Sequence, residues 1–345
     1  MTDKSWSDLT TLIKGGNLNY KPVGFIIDSP WIPGWYGISN IQYYASGEHW
    51  LKSNLKVLDL FPDVWFLPGF WSEYGMCTEP SAFGARMIWL ENNLPHAEKT
   101  LKSIEDIASL PQPNVKTDGL LPFVISRLME NEESIKKAGH SVRFAISRGP
   151  LNIATFLMGT TEFMMALAMN PDEARNLLDR ITTFICDWLA YQKECFPSID
   201  GIFILDDIMG FVGDYEFNEF VIPVFKKIFS SFDANARFLH NDAQGLITAK
   251  YLNEINVNMF NFSFQHKMGE IRDLAGPEVV LVGNIPPRDI LAAGTPEQVI
   301  QAVKTAAGEI ENHSRILWSA GGGMPPDVKN ENIAAFISAV KEYIK

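Results

Sequence analysis

The sequence predicts an α/β protein of the (β/α)8 TIM-barrel class. Three observations carry this: eight short β-rich runs, longer helical stretches between them, and polar residues at the carboxyl end of nearly every run. The runs are 22–28, 63–68, 143–148, 201–207, 237–242, 257–263, 279–284 and 315–319. Most, such as GIFILDD and VVLVGN, are apolar almost throughout, as strands covered on both faces are. A doubly wound open sheet would give the same local signals, and the count of eight favours the barrel.

Between the runs, the final segment places Ile333, Phe336, Ile337, Val340 and Ile344 on one helical stripe. Another helix is expected to start at Thr295-Pro296-Glu297-Gln298, where Thr can cap, Pro fits the first turn and Gln can close a capping box. We read residues 1–345 as one catalytic domain, with residues 1–21 as an N-terminal extension. The stretch from about Trp71 to Gly139 is too long for one crossover and is expected to be an insertion over the barrel mouth.

Composition narrows the function classes. With 46% apolar and 20% charged residues the chain can bury a large core under an ordinary soluble surface. A formal charge of −12, from 29 basic and 41 acidic residues, argues against a nucleic-acid partner. Without a signal-like N-terminus or a long apolar run, a cytoplasmic protein with no membrane partner is expected. Cys77, Cys186 and Cys195 match neither a disulfide framework nor a CxxC metal clip, and are read as buried thiols. No glycine pattern for nucleotide phosphates follows a strand.

In a barrel, chemistry sits at the carboxyl ends of the strands. Those ends carry Asp28, Ser147-Arg148, Asp206-Asp207, His240-Asn241-Asp242, Ser263, Asn284 and Ser319. His240 and Asp242 alternate by two and therefore share a side of their strand, a usual arrangement for metal ligation or paired acid–base work. Asp206 or Asp207 on the neighbouring strand can face the same space, giving an oxygen–nitrogen–oxygen set that suits zinc. Adjacent carboxylates point opposite ways, so one of the two is expected in the mouth and the other on neighbouring amides. His49, His96, His140 and His313 read as surface residues, and His266 as a weaker candidate. Trp31, Trp35, Tyr36, Tyr43, Tyr44, Trp65, Phe70, Trp71 and Tyr74 crowd the first two strand ends, where they can line an aromatic pocket or pack under a lid.

Several segments carry a family resemblance. GNIPPRDILAAGTPEQVIQAV and ILWSAGGGMPPDVKNENIAAFISAVKEY resemble the C-terminal signature of the uroporphyrinogen decarboxylase superfamily. SRGPLNIATFLMG, DGIFILDD, EFNEFVIPVFKKI and RFLHND are similar to the same group, so the likeness runs from about Arg143 onward. It implies a (β/α)8 barrel, in agreement with the strand count.

Porphyrinogen decarboxylases themselves carry an arginine-rich loop where this chain has Asp28 to Asn40 with no arginine. The resemblance therefore points to the corrinoid-dependent methyltransferase branch, whose zinc is held by a His-x-Cys pair and a later cysteine. His240 fits that histidine, whereas Asp242 and Gly322 stand at the cysteine positions. The methyltransferases of O-demethylation, which use carboxylates and a histidine, resemble this branch, with Glu219 at the place of a ligand 21 positions before the histidine and Ile204 where a further glutamate would stand, so that the second carboxylate would come from Asp206, Asp207 or Asp242.

By that resemblance the expected activity moves a methyl group from a methoxylated aromatic, or similar small donor, to the cobalt of a corrinoid (cobalamin) carried by a partner protein. Zinc would be held by His240, Glu219, Asp242 and Asp207. Asp206, Asp207, Asp28 and Arg148 are the expected catalytic groups, and Trp31, Trp35, Tyr36, Trp65, Tyr74 and Asn284 the substrate contacts. Two alternatives stay open: a metal-free decarboxylase or other lyase acting on a small carboxylated substrate, with Asp28 or Asp207 as acid–base and Arg148 on the carboxylate, and a ligand-binding protein without catalysis.

Overall fold

The computed structural model describes residues 1–344. Every expected run forms a strand: β1 Val23–Ile26, β2 Val64–Leu67, β3 Phe144–Arg148, β4 Gly201–Leu205, β5 Ala236–Asn241, β6 Met259–Phe262, β7 Val280–Ile285 and β8 Ile316–Ala320. They make one all-parallel sheet in the order β2-β1-β8-β7-β6-β5-β4-β3. The hydrogen-bonded ladder among the described residues stops between β2 and β3.

Alternation along the strands sorts their side chains into two apolar clusters. The smaller lies inside the curl and takes residues from all eight strands, among them Ile26, Leu67, Phe144, Phe203, Phe238, Met259, Val280 and Leu317. The larger lies between the sheet and the surrounding helices. A sheet whose inner faces meet in one cluster has the curvature of a TIM-barrel-like fold.

The helix Asp3–Ile13 sends Trp6 and Leu9 into the inner cluster, with Trp6 edge-on to Phe144 at 5.3 Å. Between β2 and β3 lie the short helix Thr78–Ala82, a two-stranded hairpin of Met87–Ile88 with His96–Ala97, the 3-10 turn Ile104–Ser109 and the helix Leu121–Lys137. The helix Pro296–Gly308 begins with the capping box of Thr295 and Gln298, and Asn330–Tyr343 buries Ile333, Phe336 and Val340. No single helix is long and apolar enough to cross a membrane.

Candidate functional site

The register of the central strands positions the site. Arg148, Leu205, His240, Asn261, Val282 and Leu317 are successive partners across β3 to β8, so they stand level around the inner wall. Two of these positions, His240 and Asn261, put adjoining polar side chains where apolar ones would complete the cluster. His240 Nδ1 lies 2.7 Å from Asn261 Oδ1, and the Asn261 amide nitrogen donates to the carbonyls of Val282 (2.8 Å) and Ala320 (3.1 Å). With both amide protons committed, Asn261 can only accept from the ring, so Nδ1 carries the proton. In the neutral ring the Nε2 lone pair is then free.

That lone pair meets two carboxylates. Nε2 is 4.0 Å from Asp207 Oδ1 and 3.8 Å from Asp242 Oδ2, and one ligand atom from each residue lies within 4.8 Å of the others. Asp207 accepts the Asp242 backbone N–H at 3.1 Å, which ties the β4 and β5 loops together. Burial pushes the Asp207 carboxyl upward, with His240 pulling the other way. Gly322, at φ +144°, lies against Asp242: a Cβ there would come within 2.7 Å of Oδ2. No side chain can therefore stand at position 322, and the group that the described residues offer has three members, which leaves a fourth position to a substrate or water. An oxygen–nitrogen–oxygen set, an imidazole oriented by a second partner and an open position fit a catalytic divalent ion such as zinc.

Other expected site residues lie elsewhere. Asp206 turns away from the mouth and is fully buried, accepting from the backbone N–H groups of Leu151 and Asn152 on one oxygen and of Ile208 and Met209 on the other. It caps the start of helix Pro150–Met158, a structural use. Burial raises its carboxyl to about 7, against the pull of those amides. Glu219 sits on the outer helical layer, 3.1 Å from Arg175 and outside the three-residue ligand group, where a surface ion pair satisfies it. His266 accepts the Gly245 N–H through Nε2, an amide cap rather than a free ligand.

The aromatic residues divide in the same way. Trp31 is 1% exposed behind the sheet, stacked on Phe66 and bonded to the Val328 carbonyl. Trp35 bonds Asn330, and Lys56 covers both Trp35 and Tyr36. Trp65 lines a cleft with Met1 and Tyr20 beside the N-terminal helix. Tyr74 stacks on Arg127 at 4.4 Å and meets Tyr44 and Trp89. These rings pack against the protein because each offers its polar tip or its face to a neighbour. Asn284 ends β7 and donates to the His266 carbonyl. Of the four histidines expected on the surface only His96 is exposed; His49, His140 and His313 are half-buried. Cys77 is buried, while Cys186 and Cys195 are half-buried thiols.

A second polar group stands across the inner wall. Arg148 Nη2 donates to both oxygens of Glu73 at 2.8 Å, and its backbone N–H donates to Glu79 at 2.9 Å. The guanidinium lies 5.3 Å over the Trp71 ring. The half-buried Asp28 carboxyl adds its charge at Glu73. Burial pushes Glu73 well above the usual range and Glu79 upward, with Arg148 opposing both. Glu73 and Asn261 escaped the sequence reading. Asn261 alternates with Met259 and Ser263 in an apolar run, a signal that could have marked it as inward and polar.

Residues 39–343 match the family model described as uroporphyrinogen decarboxylase (URO-D). The chain belongs to the uroporphyrinogen decarboxylase family. It is 25% identical over 281 residues to the uroporphyrinogen decarboxylase of Pseudomonas syringae pv. tomato, covering 77% of this chain and 76% of the relative. It is 24% identical over 271 residues to that of Dichelobacter nodosus, with the same coverage. Among solved structures, a methyltransferase from Methanosarcina mazei superposes with a TM-score of 0.81 over 98% of both chains at 19% identity. A B12-independent methionine synthase from Shewanella sp. W3-18-1 gives 0.50 at 11% identity. At these identities the likeness is one of fold, and this family member's chemistry rests on its own site.

Proposed function

We propose that this member of the uroporphyrinogen decarboxylase family is a corrinoid-protein-dependent methyltransferase that takes a methyl group from a methoxylated aromatic or similar small donor. The observation that carries the reading is the His240 imidazole, turned by Asn261 so that its free Nε2 faces Asp207 and Asp242. Asp207, His240 and Asp242 would hold zinc, which when bound would supply a Lewis acid for the departing oxygen.

The protein's own task is placement. Leu205, Val282 and Leu317 stand level with His240 on the inner wall and are buried in the apolar cluster inside the curl. A donor resting there would present its ether oxygen to the cluster and its methyl group outward. The methyl–oxygen bond breaks with its electron pair left on oxygen, and the methyl group accepts a pair from the Co(I) of a corrinoid presented by the partner protein. Alignment of that displacement is worth several kcal/mol in well-oriented systems.

The lyase alternative needs Arg148 to grip a substrate carboxylate, and that guanidinium is already engaged by Glu73 in a pair whose side chains are 11% and 6% exposed. The deciding assay incubates the protein with [13C-methyl]guaiacol and a Co(I) corrinoid protein. Loss of Co(I) absorbance with release of catechol supports methyl transfer. Absence of transfer, together with carbon dioxide release from carboxylated substrates, would favour the lyase.

A further inference from the structure

The guanidinium on the inner wall is occupied by the protein itself. Arg148 faces inward because it alternates with Phe144 and Ile146 on β3, and it stands level with His240 through Leu205. Its charge is felt at Asp207, just past the end of the adjacent strand β4 on the same inner wall. Glu73 takes Arg148 at 2.8 Å on both oxygens, and Glu79 holds the Arg148 backbone. With Asp28, three carboxyl groups thus bear on one guanidinium.

A ligand carboxylate seated against Arg148 must displace Glu73, and it would then lie beside the Asp28 and Glu79 carboxyl groups. An uncharged ring meets no such obstacle. Glu73 follows β2 in a segment that also supplies Trp71, whose ring backs the guanidinium. The segment therefore both shapes the pair and keeps it buried.

We propose that Glu73 is a specificity-determining residue: by occupying Arg148 it excludes carboxylated aromatics and restricts the site to uncharged ring donors. That the bound ring is a methyl donor rests on the proposed methyl transfer, whereas the exclusion concerns binding alone.

The test is calorimetric binding of guaiacol and of vanillate, which differ by one carboxylate, to the full-length protein. Wild type is expected to bind guaiacol at least about tenfold more tightly, the ratio corresponding to ~1.4 kcal/mol. In Glu73→Gln, which keeps the shape and removes the charge, the preference should fall by about tenfold or more, and adding Arg148→Met should abolish the gain in vanillate binding. Wild type that binds both equally, or a folded Glu73→Gln with an unchanged ratio, overturns the proposal. If Glu73→Gln fails to fold, Glu73→Asp withdraws the carboxylate from the guanidinium and should narrow the ratio in the same direction; an unchanged ratio there also overturns it. Vanillate binding gained in the variant, with guaiacol bound by neither protein, upholds the exclusion and removes the methoxyarene reading. Binding of neither ligand to either protein removes both.

Discussion

Asn261 accepts the His240 Nδ1 proton at 2.7 Å while donating both of its own amide protons to the strand carbonyls of Val282 and Ala320. This relationship gives a histidine on the inner wall a defined tautomer, with the Nε2 lone pair directed at Asp207 and Asp242. It is the oriented second partner that metal-bound imidazoles commonly have.

Asn261→Ala should therefore weaken metal binding about 10–100-fold without removing any ligand. Competition with a chromophoric chelator measures this. Unchanged affinity would mean that the ring is oriented by something else.

The two adjacent aspartates should separate cleanly. Asp206→Ala strips the acceptor from four backbone N–H groups and should destabilise the protein by on the order of 3 kcal/mol. Asp207→Ala should cost far less stability and lose the metal. Denaturant unfolding beside metal analysis tells the two apart.

Glu219→Ala should leave metal content untouched and change stability by less than ~1 kcal/mol, because its partner is the half-exposed Arg175. Loss of metal in this variant would place Glu219 in the site after all.

His140 gives the pH prediction. Burial first, then the nearby Met1 amino group, lower it from 6.5 to about 4. The unfolded chain thus binds the proton more readily, so this contribution to stability is present above pH 6.5 and is lost as pH falls from 6.5 toward 4, on the order of 1–2 kcal/mol once solvent screening at this half-buried ring is discounted. His140→Gln should lose less stability than the wild type on acidification over that window, as followed by urea unfolding of the two proteins at stepped pH.

The strands were legible because double-sided burial writes continuous apolar runs, and GIFILDD or VVLVGN admits few other readings. His240 and Asp242 could be paired from their spacing of two, since alternation alone puts them on one side. Alternation also requires Asp206 and Asp207 to diverge, but choosing between them needs the position of the Pro150 helix start, which comes from another part of the chain. The loop aromatics were misplaced for a related reason. Trp31 has the same local sequence whether it lines the mouth or stacks on Phe66 behind the sheet. Glu219 was placed by counting back from His240, and its helix instead carries it to Arg175. Glu73 becomes meaningful only when β3 brings Arg148 beside it, 75 residues later in sequence.

The most direct test of the central claim is the metal content of protein purified without chelator, compared with His240→Ala prepared identically. The account predicts about one zinc per chain in the wild type and almost none in the variant, with the fold retained by circular dichroism. Wild-type protein free of metal after zinc supplementation, or a variant that keeps its zinc, would contradict the Asp207–His240–Asp242 centre and the methyl-transfer reading built on it.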